Sequence, residues 1–451
     1  MDNPRADRPE RRTALIGREL DRYNIQIAAL SETRLADEGQ LTEVKAGYTF
    51  FWSGRSHEER REAGVGFAIK SNLISKLTSL PKGMNDRLMT LRLPLRGKHH
   101  ATIISAYAPT MTNPDEVKDK FYEDLETLIA AVPREDKLII LGDFNARVGT
   151  DYRAWEGVIG RHGVGKSNSN GHLLLKTCAT YDLLITNTIF RLANRNKTSW
   201  MHPRSKHWHL IDYVIVRRRD RKDVRVTKAM CGADCWTDHR LILSKLNFSV
   251  RPRRRPQGKA GNKRLNISKL ERHSVQQNLS EDLDSKLGQL NFGTSGVEED
   301  WATFRDVIYS TAFSHLGQKM RKHQDWFDEN DDEIRKLLDE KNERNMAHQQ
   351  DKASASKKAA LNSCKSMVQA KLREMQDTWL ITKAEEIQQY ADSNNSKRFY
   401  DALKTIYGPQ SSGTAPLLSA DGTTLLTDKN AILDRWVEHF NNVLNRLFYQ
   451  C

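Results

Sequence analysis

Leu138-Ile139-Ile140-Leu141-Gly142-Asp143-Phe144-Asn145-Ala146-Arg147 is the stretch whose reading decides the fold. Its four-residue apolar run is too short for a helix and too hydrophobic for a surface strand, which predicts a buried strand. Gly142 permits the backbone to turn at the strand end. Asp143 and Asn145 stand two positions apart, and on an extended chain such residues point to one face. The core would therefore push one carboxylate and one amide out of a single sheet edge, a placement suited to positioning water or a metal ion.

Upstream of this stretch, residues 10–23 read as a helix with Leu15, Ile16 and Leu20 on one face, and Ile25–Leu30 as a buried strand ending in Ser31-Glu32-Thr33. Gly47–Trp52, Ala63–Lys70, Arg87–Leu95 and Ala101–Tyr107 alternate as strands do. Asp115–Val132 is an amphipathic helix whose first turn carries Asp115 and Glu116, which complement the helix dipole. Downstream come a Gly-rich loop (160–171), a helix over His172–Tyr181 and a strand over Leu183–Asn187. Thr198–Met201, Leu210–Val216, Val224–Met230 and Leu241–Leu246 complete the strand-like series. Helices alternating with buried strands indicate α/β layers, and adjoining strands indicate antiparallel pairing. The expected fold is a mixed α/β sandwich over residues 10–250.

The chain has 451 residues, room for two or three domains. With 38% hydrophobic residues and a mean hydropathy of −0.69, part of it must lie outside a core. A net charge of +14 points to a polyanionic partner, most often nucleic acid, against the plainer reading of Lys-rich solvated helices. Five widely spaced cysteines give no disulfide framework and fit a reducing compartment. Cys231, Cys235 and His239 lack the second thiol pair of a structural zinc site. No apolar signal core follows Met1 and no apolar run is long enough for a membrane span, so neither secretion nor a membrane partner is expected.

Residues 1–9, with Pro4 and Pro9, read as a polar tail. Composition turns at 251–264, where seven basic residues and two prolines occur without an acid. The segment 251–266 reads as a linker and equally as a nuclear-import or phosphate-binding patch. From 267 to 451 the sequence is helical and highly charged. Trp326-Phe327-Asp328 opens a helix over Asp331–Lys358 that runs on toward Ile387 with breaks; Asp421-Gly422 marks a turn, and a last amphipathic helix covers Ala431–Leu447. The low apolar density predicts loose packing or a need for a partner.

Strand ends deliver distant side chains to one rim. Here the polar residues that end or interrupt apolar strands are Glu32, Tyr107, Asp143, Asn145, Asp212, Asp238 and His239. Singly each has a plain explanation: a solvated glutamate, a capped turn, a structural histidine. Together they supply carboxylates, an imidazole and a phenol, a complete set for metal-assisted hydrolysis of a phosphate ester. Gly160-Arg-His-Gly-Val-Gly165-Lys166-Ser167 matches the Walker A letters, but only Val158-Ile159 precedes it as a strand, and Asn168-Ser-Asn-Gly171 is turn chemistry. The loop is read as a surface segment rather than a nucleotide cradle.

Leu-Ser-Glu32-Thr-Arg, Ser-Ala-Tyr107-Ala-Pro-Thr, Gly-Asp143-Phe-Asn145, Ile-Asp212-Tyr and Thr-Asp238-His239 resemble, in this order, the motifs of the endonuclease/exonuclease/phosphatase (DNase I-like) superfamily. Ala-Leu-Ser-Glu-Thr-Arg, Leu-Gly-Asp-Phe-Asn-Ala-Arg-Val-Gly and Trp326-Phe-Asp-Glu-Asn330 narrow the likeness to the endonuclease region of non-LTR (LINE, RTE/BovB-type) retrotransposon proteins. The resemblance implies a four-layer α/β sandwich with a charged helical C-terminal extension, and Mg²⁺-dependent nicking of DNA with Mn²⁺ as substitute cation. It implies that Glu32 ligates the metal with help from Asp238. Asp143 would orient or deprotonate the attacking water and Asn145 would hold it. His239 would donate to the phosphoryl oxygen, Asp212 would fix that imidazole, and Tyr107 would stabilise the transition state. Lys166, Asn168 and Asn170 would touch DNA, and the linker and C-terminal region add RNA as a further expected ligand. The expected compartment is the nucleus, with the cytoplasm second.

One departure stands out. The family's first strand ends in an Asn that adds a metal-site ligand, whereas Met1-Asp-Asn3-Pro4 has no apolar strand before it. The chain is expected to begin one strand late, leaving a gap in one sheet and a weakened metal site, and to stop where a reverse transcriptase would start. The alternatives are a domesticated DNA- or chromatin-binding protein with little catalysis and a phosphatase of the same superfamily.

Overall fold

The computed structural model describes residues 11–56, 58–60, 62–97, 99–233, 237–251, 265–271, 273–290, 297–317, 325–406, 417–420, 425–426 and 429–444. The tail at 1–9, Cys235, the basic run at 252–264 and the Asp421-Gly422 turn lie outside the described residues. No described helix is long and apolar enough to cross a membrane.

The N-terminal elements are α1 (Arg12–Arg22), β1 (Ile27–Ser31), β2 (Glu38–Glu43), β3 (Tyr48–Ser53), β4 (Val65–Lys70), α2 (Ser71–Ile74), β5 (Lys82–Gly83), β6 (Leu88–Pro94) and β7 (His100–Tyr107). There follow α3 (Asp115–Ala131), β8 (Lys137–Asp143), α4 (Ser169–Thr180), β9 (Leu183–Ile185), β10 (Trp200–Met201), β11 (Trp208–His209), β12 (Asp212–Arg217), β13 (Val224–Met230) and β14 (Leu241–Leu246).

The opening stretch is a central strand. β8 pairs in parallel with β7, across the α3 crossover, and antiparallel with β12, inside a six-stranded sheet of order β5-β6-β7-β8-β12-β9. Gly142 has a different role from a turn. Its φ is +153°, and a Cβ there would stand 1.8 Å from the Ala106 carbonyl oxygen, its partner in the parallel pair. The glycine admits a close approach inside the strand, so β8 continues through to Asp143.

Alternation along these strands builds the layers. Leu138 and Ile140 of β8, with Tyr213 and Ile215 of β12, face Phe121, Leu125 and Ile129 of α3 and Leu174 and Leu175 of α4. The intervening residues Ile139, Val214 and Val216 face Phe51, Val65, Phe67 and Ile69 of a second sheet of order β1-β4-β3-β2. The outer side of that sheet (Ala28, Tyr48, Phe50, Ala68) packs on Leu20 of α1. Helix, sheet, sheet and helix give the four-layer sandwich. β2 was not foreseen because Glu-Gly-Gln-Leu-Thr-Glu carries too few apolar residues; it is an edge strand paired only with β3.

The second layer is in two hydrogen-bonded pieces. β1 pairs only with β4, and β13–β14 form a separate hairpin. Ile27 and Ala29 of β1 and Ile242 and Leu246 of β14 nevertheless border the inter-sheet core, while Leu30 and Leu241 border the α1 side. Both strands thus belong to one layer.

The described residues between 254 and 324 belong to a separate compact unit. In it α5 (His273–Gly288) and α6 (Val297–Leu316) meet through Leu279, Ala312 and Leu316. The later elements are α7 (Trp326–Glu329), α8 (Asp331–Gln350), α9 (Ala355–Asp392), α10 (Ser396–Ile406), a short hairpin of β15 (Leu417–Leu418) and β16 (Leu425–Leu426), and α11 (Lys429–Leu444). These belong to the same unit as the sandwich.

For α7–α9 the loose packing expected is not what the structure shows, whereas Leu433, Trp436, Val437 and Phe440 of α11 are exposed. Leu361, Cys364, Val368, Leu372, Met375 and Trp379 recur every three or four residues and form one seam along α9. Most of that seam, with Ile334 of α8 and Trp326 and Phe327 of α7, closes on Ala14 and Leu15 of α1. α1 is thus buried on two sides. Low average apolar density misled because the apolar residues are concentrated on one stripe. Arg11 is buried between Glu43 and Asp325, Arg18 pairs with Asp331, and Lys45 Nζ donates to the Asp328 carbonyl at 2.6 Å.

Candidate active site

The antiparallel register sets Asp212 directly opposite Asp143. Asp212 begins β12 rather than lying inside it, so two strands end on facing carboxylates. His239, just before β14, completes the group: its Nδ1 is 3.0 Å from Asp212 Oδ2. Ligand atoms of Asp143, Asp212 and His239 all lie within 4.8 Å of one another.

The electrostatics follow from this crowding. Burial pushes the Asp143 carboxyl well above the usual range, and the Asp212 charge pushes it further; His239 and the Asn145 N–H oppose that, and Glu32 adds to it. Burial alone would lower the His239 imidazole. The Asp212 charge and hydrogen bond, then Asp143 and Asp238, overcome burial and push it up to about 10. His239 therefore stands as an imidazolium, and Asp143 holds a proton more tightly than an ordinary carboxyl.

Glu32 follows β1 in a left-handed conformation (φ +51°) that turns it toward the next strand end. Its Oε1 accepts from the Tyr107 hydroxyl at 2.9 Å, and its Oε2 lies 3.0 Å from Arg34. Tyr107 is 6% exposed; burial, then the Glu32 charge and hydrogen bond, hold its phenol protonated. Tyr107 thus orients the Glu32 carboxylate. Asn145 also adopts a left-handed conformation (φ +45°), so extended-chain geometry does not bring it beside Asp143. A turn does: Asn145 N–H donates to Asp143 Oδ1 at 2.8 Å, and Asn145 Nδ2 donates to the Ala108 carbonyl at 2.9 Å. Asp238 accepts from the Trp200 indole at 2.9 Å.

The three loop residues have unequal surroundings. Lys166 is exposed. Asn168 caps α4, its Oδ1 accepting from Gly171 N–H and Arg147 N–H, both at 2.8 Å. That cap starts the helix three residues before His172. Asn170 is 3% exposed; its Nδ2 donates to the Pro109 and Asn145 carbonyls at 3.1 Å, and its Oδ1 is buried without a partner. Asn170 therefore fixes the turn that carries Asn145.

Three supporting residues escaped the sequence reading. Ser199 Oγ accepts from Ile211 N–H and Asp212 N–H, and Asn187 Nδ2 donates to the Asp212 carbonyl. The Trp200 ring lies 6.4 Å from that of His239. Asn187 was within reach, because it ends an apolar stretch just as Tyr107 and Asp143 do. Ser199 and Trp200 carry no such signal.

Facing carboxylates with a carboxylate-bound imidazole thus lie at the rim of a four-layer sandwich. A model of the Endonuclease/Exonuclease/phosphatase family matches residues 1–239, and the chain belongs to that family. Craniofacial development protein 2 of Bos taurus is 32% identical over 238 residues, covering 52% of this chain and 39% of that protein. Its counterpart in Tragulus javanicus is 32% identical over the same length, 40% of its own. The chain thus matches well under half the length of these relatives. Among solved structures, the catalytic domain of Xenopus laevis APE2 is 16% identical, with 54% of this chain and 91% of that one covered and a TM-score of 0.42. The endonuclease domain of TRAS1, a telomere-specific non-LTR retrotransposon, is 16% identical, with 53% and 94% covered and a TM-score of 0.37.

Proposed function

We propose that this chain nicks DNA by hydrolysing a phosphodiester bond with Mg²⁺ (Mn²⁺ substituting), and that it descends from a non-LTR retrotransposon endonuclease. The observation that carries the reading is the Asp143–Asp212 pair set face to face, with His239 on the second carboxylate.

The donor set fits a hard divalent cation. Glu32, Asp143, Asp212 and Asp238 are oxygen ligands, and the raised affinity of Asp143 for a proton marks a site short of positive charge. Glu32, held by Tyr107, and Asp238 would hold the ion. When bound, it supplies Lewis-acid polarisation of the phosphoryl oxygen. Asp143 would accept a proton from the attacking water. Asn145 positions that water through Oδ1, its Nδ2 being engaged by Ala108. His239, charged and fixed by Asp212 through Nδ1, donates from Nε2 to the phosphoryl oxygen as negative charge builds. Removing one such donor costs about 10²–10³ in rate.

Supercoiled plasmid with Mg²⁺ tests this: the parent should nick, and Asp143→Asn and His239→Ala should nick at least about a hundredfold more slowly. Equal rates in all three would refute it. A second reading, a domesticated DNA- or chromatin-binding protein with little catalysis, draws on one observation. β1, which leads to Glu32, and β14, which follows Asp238-His239, each pair on one side only. Salt-sensitive DNA retention without nicking, equal in parent and variants, would favour it. Nuclear residence and RNA binding through the basic run belong to the same proposal and are tested by localising the tagged chain and by competing labelled DNA with RNA.

A further inference from the structure

The six-stranded sheet has a second end. The candidate catalytic carboxylates stand where β8 finishes and β12 begins; Lys137, where β8 starts, lies about 20 Å away at the rise of an extended strand. At this far pole β12 runs into a short 3₁₀ helix, Arg218–Asp223. Side chains three apart eclipse one another in such a helix. The sequence Arg-Arg-Asp-Arg-Lys-Asp is therefore sorted into ridges. Asp220 and Asp223 share one, Arg218 and Arg221 the second, and Arg219 and Lys222 the third.

The acidic ridge turns inward. Lys137 Nζ pairs with Asp220 Oδ1 at 3.2 Å and with Asp223 Oδ2, and it lies 5.3 Å from the centroid of the Phe248 ring. Asp220 is 7% exposed, whereas Arg218, Arg219, Arg221 and Lys222 are all exposed. Arg218 is matched by Asp182 at 2.7 Å, and Arg219 Nε stands 3.8 Å from Asp220 Oδ2. A charged turn that is only solvated leaves both signs in water. Here one lysine draws both acids of the turn away from the surface and leaves its cations there.

The neighbouring segments continue the same sign. Asn247 N–H donates to the Asp223 carbonyl at 2.8 Å, Arg96 N–H to the Ser249 carbonyl at 2.7 Å and Arg251 N–H to the Pro94 carbonyl at 3.0 Å. The chain thus crosses from the 3₁₀ helix to the β6–β7 turn and enters the basic run of 251–264 at this pole. Arg96, Arg225 and Arg251 are exposed. Across 92–97, 131–137, 217–225 and 246–251, all of them described, the exposed acid is Glu135. None of the exposed large apolar side chains among the described residues falls in these segments. Single strands are held by stacking bases on exposed rings, whereas a surface of cations without rings engages backbone phosphates.

We infer that this pole binds the phosphate backbone of a second DNA duplex, separate from the one engaged at the rim. The choice of DNA rests on the proposal that the rim cuts DNA. Duplex DNA is stiff over about 150 bp, so a duplex seated at Asp143 and His239 does not fold round to the opposite end of β8. The chain would then hold two duplex segments at once, one at each end of the sandwich.

The test titrates the full chain, in chelator, with a labelled DNA duplex of about one helical turn, and reads stoichiometry by analytical ultracentrifugation over a series of salt concentrations. The parent should bind two duplexes per chain. Arg221→Gln combined with Lys222→Gln changes two exposed side chains of the 3₁₀ helix. It should weaken the second duplex and reduce the slope of log K against log[salt] for that step by about 1.8, with the first duplex and plasmid nicking unchanged. Lys371→Gln, on α9 and paired with Glu374, controls for net charge and should leave both steps unchanged. A parent that binds a single duplex, an unaltered second step in the double variant, or an equal change in Lys371→Gln would overturn the inference. An RNA duplex that fills the second site more tightly than DNA would overturn the assignment to DNA. A chain that holds two duplexes and weakens the second only in the double variant, yet does not nick plasmid, would overturn the nuclease reading and keep the pole; one that nicks but holds a single duplex would do the reverse.

Discussion

Asp212→Asn isolates the charge that sets the state of His239. In the parent, burial disfavours the imidazolium, and the Asp212 charge and hydrogen bond, with Asp143 and Asp238, raise the ring from 6.5 to about 10. One pK unit is worth about 1.4 kcal/mol, so the preference for the charged ring is on the order of 4–5 kcal/mol. Of those three carboxylates, Asp212 holds the hydrogen bond to Nδ1, at 3.0 Å. Asparagine keeps the shape and an oxygen acceptor but removes the charge, so the ring should fall by roughly two units or more. The sign for stability follows from linkage. A folded pKa above the unfolded one gives stability that is complete below pH 6.5 and is lost as pH rises toward 10. The parent should therefore lose stability across that window, and the variant should lose clearly less. The assay is NMR titration of the His239 ring in chelator, with urea unfolding across the same pH range. A variant ring that titrates within about half a unit of the parent would refute the reasoning.

Further outcomes are expected elsewhere. Phe327→Ala empties a side chain that is 1% exposed in the contact between α1 and the C-terminal helices, and should cost about 3–5 kcal/mol in denaturant unfolding; a loss under 1 kcal/mol would mean that this contact contributes little. Asp136 is buried, which would raise its carboxyl, but hydrogen bonds from Arg92 and Thr102 and the Arg92 charge hold it below the usual range. A depressed folded pKa gives stability that is present above the unfolded pKa and lost as pH falls through the folded one, so Asp136→Asn should flatten acid unfolding, and an unchanged acid limb counts against it. Mg²⁺ at 100 times its dissociation constant should raise unfolding free energy by about 2.7 kcal/mol, and Glu32→Gln should abolish most of that gain; an equal gain in the variant would place the ion elsewhere.

Much of the site was legible because strand ends are marked in sequence by a change from apolar to polar residues. Glu32, Tyr107 and Asp143 were found in that way, and Asp212 as a carboxylate interrupting an apolar run. Their contacts were not. Asn145 reaches Asp143 through a left-handed turn, a backbone choice that Asn tolerates but does not announce. Asn170 appeared to be a surface residue because a Gly- and Asn-rich loop surrounds it, yet it is buried and holds the Asn145 carbonyl. Ser199 and Trp200 act through a backbone position and a ring contact that depend on where β10 falls relative to β12 and His239.

The sequence by itself determined the layered α/β plan, because burial period and strand-end polarity are local properties of the chain. It also determined which chemical groups would meet at the rim. Tertiary structure decided their states. Burial, and then the antiparallel register that sets Asp212 opposite, raise the hold of Asp143 on its proton, and His239 becomes charged because the approach to β14 brings the imidazole to Asp212. Tertiary structure also gave the helical extension its place. The spacing along α9 makes a seam, but only the fold shows that α1 fills it and that Asn345 near the end of α8 reaches the Gly232 carbonyl. Burial and proximity are pairwise quantities, and a linear pattern fixes neither.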